Sequence, residues 1–228
     1  MDARAPANLV AEARLLDVEL NSAQVDLLAG YVALLVQWNK RFNLLSRRDI
    51  GRIWPRHVLD SLSILPFIEG PRILDLGSGG GLPGIPLAIA APQHTFTLLD
   101  RSERKTRFLE HLVLRLGLAN VVVTCADVPD CARAHCLDKT AAMSCIVSRA
   151  VAEPARIWHM ARALLAANGI MVVMSAVKVR PQLDATQVDS DSNVARATNL
   201  AGVQQTLHCI DIPGLDQQHD VVVLRRDG

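Results

Sequence analysis

The stretch Ile73-Leu74-Asp75-Leu76-Gly77-Ser78-Gly79-Gly80-Gly81-Leu82-Pro83-Gly84 decides the reading of this chain. A short apolar run enters a glycine-rich loop, and a proline then opens the next element. Glycines let the backbone turn tightly and approach a ligand with no Cβ in the way, and proline suits the first turn of a helix. Gly79, Gly81 and Gly84 match G-x-G-x-x-G, a dinucleotide motif of low specificity when it stands alone. Asp75 weighs against a dinucleotide. A pyrophosphate brought to this turn would meet a carboxylate, whereas the cationic sulfonium and ammonium groups of S-adenosylmethionine suit one. Asp100 closes the next apolar run, where a carboxylate can accept from both hydroxyls of a ribose in either cofactor.

Working outward, the pattern predicts strands at 72–76, 95–99, 120–124, 145–147 and 170–174 and helices at 83–91, 103–116 and 154–166. This alternation reads as an α/β protein whose parallel sheet is covered on both faces. Runs at 203–211 and 220–226 add an antiparallel edge, and 190–199 reads as helix or loop. Before the loop, Ser22 can cap a helix bearing the stripe Leu28, Tyr31, Leu35, Trp38 and Phe42, preceded by a shorter helix at 6–16. Asp49 and Pro55 offer further helix starts. The expected division is an N-terminal helical extension over 1–70 and one compact unit over 71–228.

The 228 residues are 50% hydrophobic and 21% charged, with a net charge of +1, which excludes wholesale disorder and a histone-like basic protein. With three Trp, one Tyr and four Phe, a sheet of exposed rings stacking on nucleic-acid bases is not expected. No apolar run approaches the roughly 20 residues that span a bilayer, and the N-terminus lacks an apolar leader core, so a cytoplasmic protein without a membrane partner is expected. Five cysteines without a C-x-x-C pair argue against a disulfide framework, and Cys131, His135 and Cys136 fit no standard zinc spacing, so no metal is expected. The near-neutral total conceals segregation: 36–57 carries +5, 101–115 carries +3 and 184–220 carries −5. The basic segments read either as solvated helix faces or as a phosphate-binding rim around the cofactor mouth.

Three further positions stand out. Asp127, after the third strand of the alternation, either accepts from an adenine amine or caps a turn. Arg149 follows a buried strand and must meet a ligand or a carboxylate, with Asp75 and Asp127 as the structural partners to expect. His57 either contacts a substrate phosphate or caps its helix.

Trp38-Asn39-Lys40, Asn43-Leu44, Arg56-His57 with Asp60-Ser61, the continuation Leu82-Pro83-Gly84-Ile85-Pro86-Leu87, and Ser148-Arg149-Ala150 together resemble the ribosomal RNA small subunit methyltransferase G family (RsmG/GidB), with a weaker echo at 219–223. The resemblance implies a class I S-adenosylmethionine-dependent methyltransferase: a Rossmann-like, mainly parallel seven-stranded sheet, methylating N7 of guanine 527 in 16S ribosomal RNA. It further implies a small-subunit particle as partner and a monomeric enzyme. By position, Gly77, Leu82, Arg149 and the segment Asp127, Val128, Pro129 correspond to the family's cofactor contacts, and Gly79, Asp75 and Asp100 join them from the loop argument. The chain departs from the family at Asp100-Arg101, where Asp-Ser is usual; near Pro129, where an acid is usual; and at Ser175-Ala176, where Lys-Gly is usual.

Guanine N7 carries a free lone pair, so no base has to remove a proton before it attacks a methyl group. No catalytic residue is therefore assigned. Arg149 and His57 are read as orienting groups, and Lys40, Arg47, Arg56, His57, Arg104, Lys105 and Arg107 as RNA-binding. An NAD-dependent oxidoreductase and a non-catalytic RNA-binding module remain as alternatives.

Overall fold

Strand β1 (Arg72–Leu76) lies between β2 (Thr95–Asp100) and β4 (Met143–Arg149), both parallel to it, with Asp75 opposite Leu98 on one side and Val147 on the other. The computed structural model describes residues 4–46, 49–128, 142–149, 151–175, 194–197 and 200–227. β3 (Val121–Cys125) extends the parallel sheet beyond β2, and β5 (Leu165–Met174) extends it beyond β4. β8 (His219–Arg226), β7 (Val203–Ile210) and β6 (Val194–Ala197) complete it antiparallel, giving the order β3-β2-β1-β4-β5-β8-β7-β6. The expected seven-stranded methyltransferase sheet is thus present, and β6 is an eighth, edge strand where helix or loop was expected. Strand order reverses between β1 and β4, and such a switch point opens a crevice at the carboxyl ends of the strands.

Alternation along each strand divides the core between the two faces of the sheet. Ile73, Phe96, Leu98, Val147 and Val172 form one apolar cluster with α2 (Ser22–Phe42), α4 (Gly84–Ala90) and α5 (Glu103–Leu116). Leu74, Leu76, Leu99, Ile146 and Val173 form the other with α6 (Pro154–Ala161). α1 (Leu9–Arg14) and α3 (Asp60–Leu62) contribute to the first cluster, so packing is continuous across residue 70.

The cap of α2 is Asn21 rather than Ser22. Its side chain accepts from Gln24 N–H at 2.9 Å while Gln24 Oε1 accepts from Asn21 N–H at 2.9 Å, a reciprocal pair that satisfies two helix-end donors. Gln24 Nε2 also donates to the carbonyls of Ile89 and Ala90, fastening α2 to the end of α4. At the other end, Trp38 packs on Phe42 and on Phe108 of α5, with ring centroids 5.2 and 5.3 Å apart. Between them, Tyr31 Oη–H donates to the Gly80 carbonyl at 2.9 Å, placing the helical extension directly on the glycine loop.

The segment expected as one helix over 154–166 is shorter. α6 stops at Ala161, a 3₁₀ turn spans Arg162–Leu164, and β5 begins at Leu165. Leu165 is buried opposite Met143, so strand pairing overrides the helix propensity of this alanine-rich run. Residues Asp49 and Pro55 start a 3₁₀ turn (Ile50–Arg52) and a π-helical turn (Trp54–Leu59) that runs into α3.

Gly84 sits where β1, β2 and α4 converge, and a Cβ there would fall 2.5 Å from Asp75 Oδ2 and collide with Leu98. Gly84→Ala should therefore destabilise the protein by roughly 3 kcal/mol through overpacking. Gly117→Ala, at a left-handed φ of 65° with open space around it, should cost about 1 kcal/mol. Urea denaturation of both variants checks the ranking.

Candidate cofactor and RNA site

The glycine loop is held from two sides. Gly77 N–H and Ser78 N–H both donate to the Leu99 carbonyl, at 2.8 and 3.0 Å, and Gly79 N–H donates to Asp100 Oδ2 at 2.9 Å. From within, Asp75 Oδ2 accepts Gly84 N–H at 2.9 Å and the Asp75 carbonyl accepts Ser78 Oγ–H at 3.0 Å. Gly77 adopts a φ of 76°, and a Cβ on it would lie 2.6 Å from Val151, so no other residue fits that turn unaltered.

Beyond the loop, the carboxyl ends of β1 to β4 and the start of α6 enclose a cavity of about 500 Å³. Its wall brings together Gly77, Asp100, Asp127, Val128 and Arg149, five of the expected cofactor residues, with Leu76, Leu99 and Ala126 as apolar lining. Asp100 is nearly buried; Ser102 N–H donates to its Oδ1 at 2.9 Å, and Lys105 Nζ lies 3.5 Å from Oδ2. A carboxylate has about four acceptor positions, so capacity remains for ribose hydroxyls. Asp127 Oδ1 accepts from Val128 N–H at 2.8 Å, the turn-capping alternative, while the residue still lines the cavity. Pro129 lies outside the described residues, as do Ala150, Ala176, Cys131, His135 and Cys136.

Several expected roles change. Asp75 is fully buried on the opposite face of β1 from Leu74 and Leu76, so its carboxylate lies beneath the loop rather than on the cavity wall. It caps α4 instead, filling with the protein's own carboxylate the helix-end position that a pyrophosphate would need. Leu82 also leaves the wall, joining the apolar cluster beneath α2. Lys105, expected on RNA, is drawn into the cavity wall by Asp100. His57 is 4% exposed and cannot meet a phosphate directly.

Arg149 finds neither Asp75 nor Asp127. Its Nη2 donates to His57 Nδ1 at 2.8 Å and to the Arg56 carbonyl at 3.1 Å, and its Nη1 lies 3.5 Å from Asp60 Oδ2. Asp60 Oδ1 is bonded to His219 Nδ1, and Arg56 Nη1 donates to His219 Nε2 at 2.8 Å. Asp60 and His219 were not singled out from sequence as site residues, although Asp60 stands in the Arg56-His57…Asp60-Ser61 motif and His219 opens the tail echo. Arg156 and Met160 of α6 also line the cavity unanticipated; the signal for them was the helix opened by Pro154 just after the carboxyl end of β4.

The remaining expected RNA residues gather at one edge. Lys40 lies in the last turn of α2, and Arg104 and Arg107 lie on the first turns of α5, all exposed. Arg104 stacks over the Phe42 ring at 5.8 Å, and Arg107 pairs with Glu103 one turn away at 3.4 Å. Arg56 instead lines a second cavity of about 290 Å³ with Arg52, Asp49, Asp216 and His219. Arg47 lies outside the described residues. Among the described residues, no cluster of His, Cys, Asp and Glu could hold a metal ion, and no helix is long and apolar enough to cross a membrane.

Burial shifts two of these groups in opposite directions. It lowers His57 to a pKa of about 4, aided by the neighbouring Arg149, and raises Asp75 to about 7 against the hydrogen bond from Gly84. The unfolded chain binds the His57 proton more tightly, so that contribution is complete above pH 6.5 and is lost as pH falls toward 4. Folded Asp75 binds its proton more tightly, so its contribution is complete below pH 3.8 and is lost as pH rises through 7. Each slope can reach about 1 kcal/mol per pH unit. Between pH 4.5 and 6.5, His57→Gln should therefore make stability fall more steeply with rising pH than in the parent, and Asp75→Asn should make it rise; urea midpoints across that range, with parallel slopes as the contrary result, decide the point.

The family model for rRNA small subunit methyltransferase G, GidB, matches residues 24–210. The Ribosomal RNA small subunit methyltransferase G of Laribacter hongkongensis is 38% identical over 209 residues, covering 92% of each chain. In fold, the chain is similar to cofactor-bound Rv0187 from MTB, with a TM-score of 0.57 at 18% identity over 98% of this chain and 99% of that one. It is likewise similar to the O-methyltransferase TomG of Streptomyces achromogenes in complex with SAM, with a TM-score of 0.54 at 16% identity and 92% of each chain covered. A family match across most of the chain, joined to a class I methyltransferase sheet with a cavity at its carboxyl edge, establishes that this chain belongs to the rRNA small subunit methyltransferase G family.

Proposed function

We propose that the chain transfers the methyl group of S-adenosylmethionine to N7 of guanine 527 in 16S ribosomal RNA, acting in the cytoplasm as a monomer on a small-subunit particle. The observation that carries the proposal is the cavity wall. Asp100 is fixed between Gly79 N–H and Ser102 N–H at one end, Arg149 stands at the other, and apolar side chains lie between them. These residues fit the donor: Asp100 would accept from the ribose hydroxyls, Leu99, Ala126 and Val128 would flank the adenine, and Arg149 would hold the amino-acid carboxylate. When bound, the donor supplies an electrophilic methyl group on a sulfonium.

The protein then has little covalent chemistry to perform. N7 attacks with its own lone pair, so the residues need only hold the base in line with the methyl group, and proximity accounts for the rate. Lys40, Arg41, Arg104 and Arg107 supply phosphate contacts on the edge formed by α2 and α5, beside the loop that Tyr31 anchors. The dinucleotide alternative is disfavoured because Asp75 occupies the end of α4.

Incubation with labelled methyl donor and unmethylated small-subunit particles should place label on guanine N7; label elsewhere, or none, overturns the assignment. Lys40→Glu with Arg104→Glu should raise the KM for the particle at least tenfold and flatten its salt dependence, while S-adenosylhomocysteine affinity stays within twofold in titration calorimetry.

A further inference from the structure

The polar groups behind Arg149 form a closed ring. Arg56 Nη1 donates to His219 Nε2 at 2.8 Å, His219 Nδ1 is bonded to Asp60 Oδ1, Asp60 Oδ2 faces Arg149 Nη1 at 3.5 Å, and Arg149 Nη2 donates back to the Arg56 carbonyl at 3.1 Å. The ring joins the π-helical turn and α3 to the carboxyl end of β4 and the start of β8, elements far apart in sequence. Asp60 is 2% exposed, so its carboxylate needs both partners. Arg56 donates to Nε2 of His219, which assigns the imidazole hydrogen to Nδ1, where it meets Asp60. His57 Nδ1 accepts from the same Nη2 of Arg149, so both terminal nitrogens of the guanidinium are addressed from behind while the side chain lines the cofactor cavity.

We infer that Asp60 and His219 are positioning residues for the methyl-donor site: they act through Arg149, fixing its guanidinium at the cavity wall so that it meets the carboxylate of the bound donor. This rests on the proposed assignment of the cavity to S-adenosylmethionine. An arginine has several rotatable bonds, and freezing them before binding removes an ordering cost that the ligand would otherwise meet. The arrangement is directional. His219 orients Asp60, Asp60 sets Nη1, and His57 with the Arg56 carbonyl sets Nη2. Neither Asp60 nor His219 lines the donor cavity itself, so any influence on donor affinity must pass through the arginine.

The test is a double-mutant cycle read by calorimetric titration with S-adenosylhomocysteine, with urea denaturation reporting on folding. Asp60→Asn and His219→Ala should each weaken binding at least tenfold and raise the KM for the donor, with kcat at saturating donor within about threefold. His219→Asn, whose amide can donate from near the Nδ1 position, should recover most of the affinity. In an Arg149→Ala background, adding Asp60→Asn or His219→Ala should change affinity less than twofold, because the group they position is gone. Folded variants that retain parental affinity, or losses that persist undiminished without Arg149, overturn the inference. Should Asp60→Asn not fold, the His219 pair carries the same comparison. Failure of the parent protein to bind S-adenosylhomocysteine would instead remove the underlying assignment of the cavity.

Discussion

Two carboxylates at the ends of adjacent strands grip the glycine loop between them, and the geometry of the site depends on that grip. Asp75 reaches up from β1 to Gly84 N–H, and Asp100 reaches across from β2 to Gly79 N–H. Backbone donors that would otherwise face an empty crevice are thereby satisfied, and the loop is fixed at both ends before any ligand arrives. The two acids differ in environment. Asp75 is wholly buried and is pushed toward its neutral form, while Asp100 reaches the cavity and has Lys105 beside it. The inner acid therefore serves architecture, and the outer one faces the cavity.

The helical extension belongs to the same construction. Tyr31 holds the Gly80 carbonyl, Gln24 holds the end of α4, and Asp60 holds Arg149, so the extension contacts the loop, the following helix and the switch-point strand. Burial pushes the Tyr31 phenol well above its ordinary range, in keeping with an uncharged donor at this contact. A nucleotide-binding sheet can form its crevice from strand order alone. Here Arg149, on the crevice's far wall, is oriented by the His57 side chain and the Arg56 carbonyl, 92 and 93 positions away in sequence. That arrangement explains why one apolar cluster runs without a break from α1 to β8.

Much of this was legible in the sequence because it is written locally. The glycine loop, the strand-helix alternation and the limits of α5 follow from spacing and composition within windows of about 15 residues. The acid ending β2 and the arginine ending β4 could be placed at the carboxyl edge for the same reason. What remained hidden depended on parity and distance. Asp75 lies one position from both Leu74 and Leu76 and so faces the other side of the sheet, and only the packed structure shows that the cavity opens on the leucine side. The bond between His219 and Asp60 spans 159 residues, and no periodicity connects them. Ser22 and Asn21 are equally good caps in principle; Gln24 decides for Asn21 because a capping box needs its partner three residues on. The alanine-rich run after Ala161 misleads because strand pairing with β4 outweighs its local preference.

The charge distribution changes meaning once the side chains are placed. Of the basic residues that crowd the two positive segments, Arg56 is engaged in the ring behind Arg149 and Lys105 is turned toward Asp100. Exposed cations of the two segments among the described residues are Lys40 and Arg41 near the end of α2, Arg52, Arg101 just before α5, and Arg104, Arg107 and Arg115 on α5. Each phosphate contact that such cations make adds one step to the salt dependence of binding. Phosphate contacts also carry no sequence information. Under the proposed reaction, selection of one guanine must then come from shape: a loop displayed by a folded particle, with its Hoogsteen edge presented to a crevice that the extension and the sheet build together. Under that reaction, a protein with eight aromatic residues is better suited to reading such a preformed surface than to capturing an extended single strand by stacking.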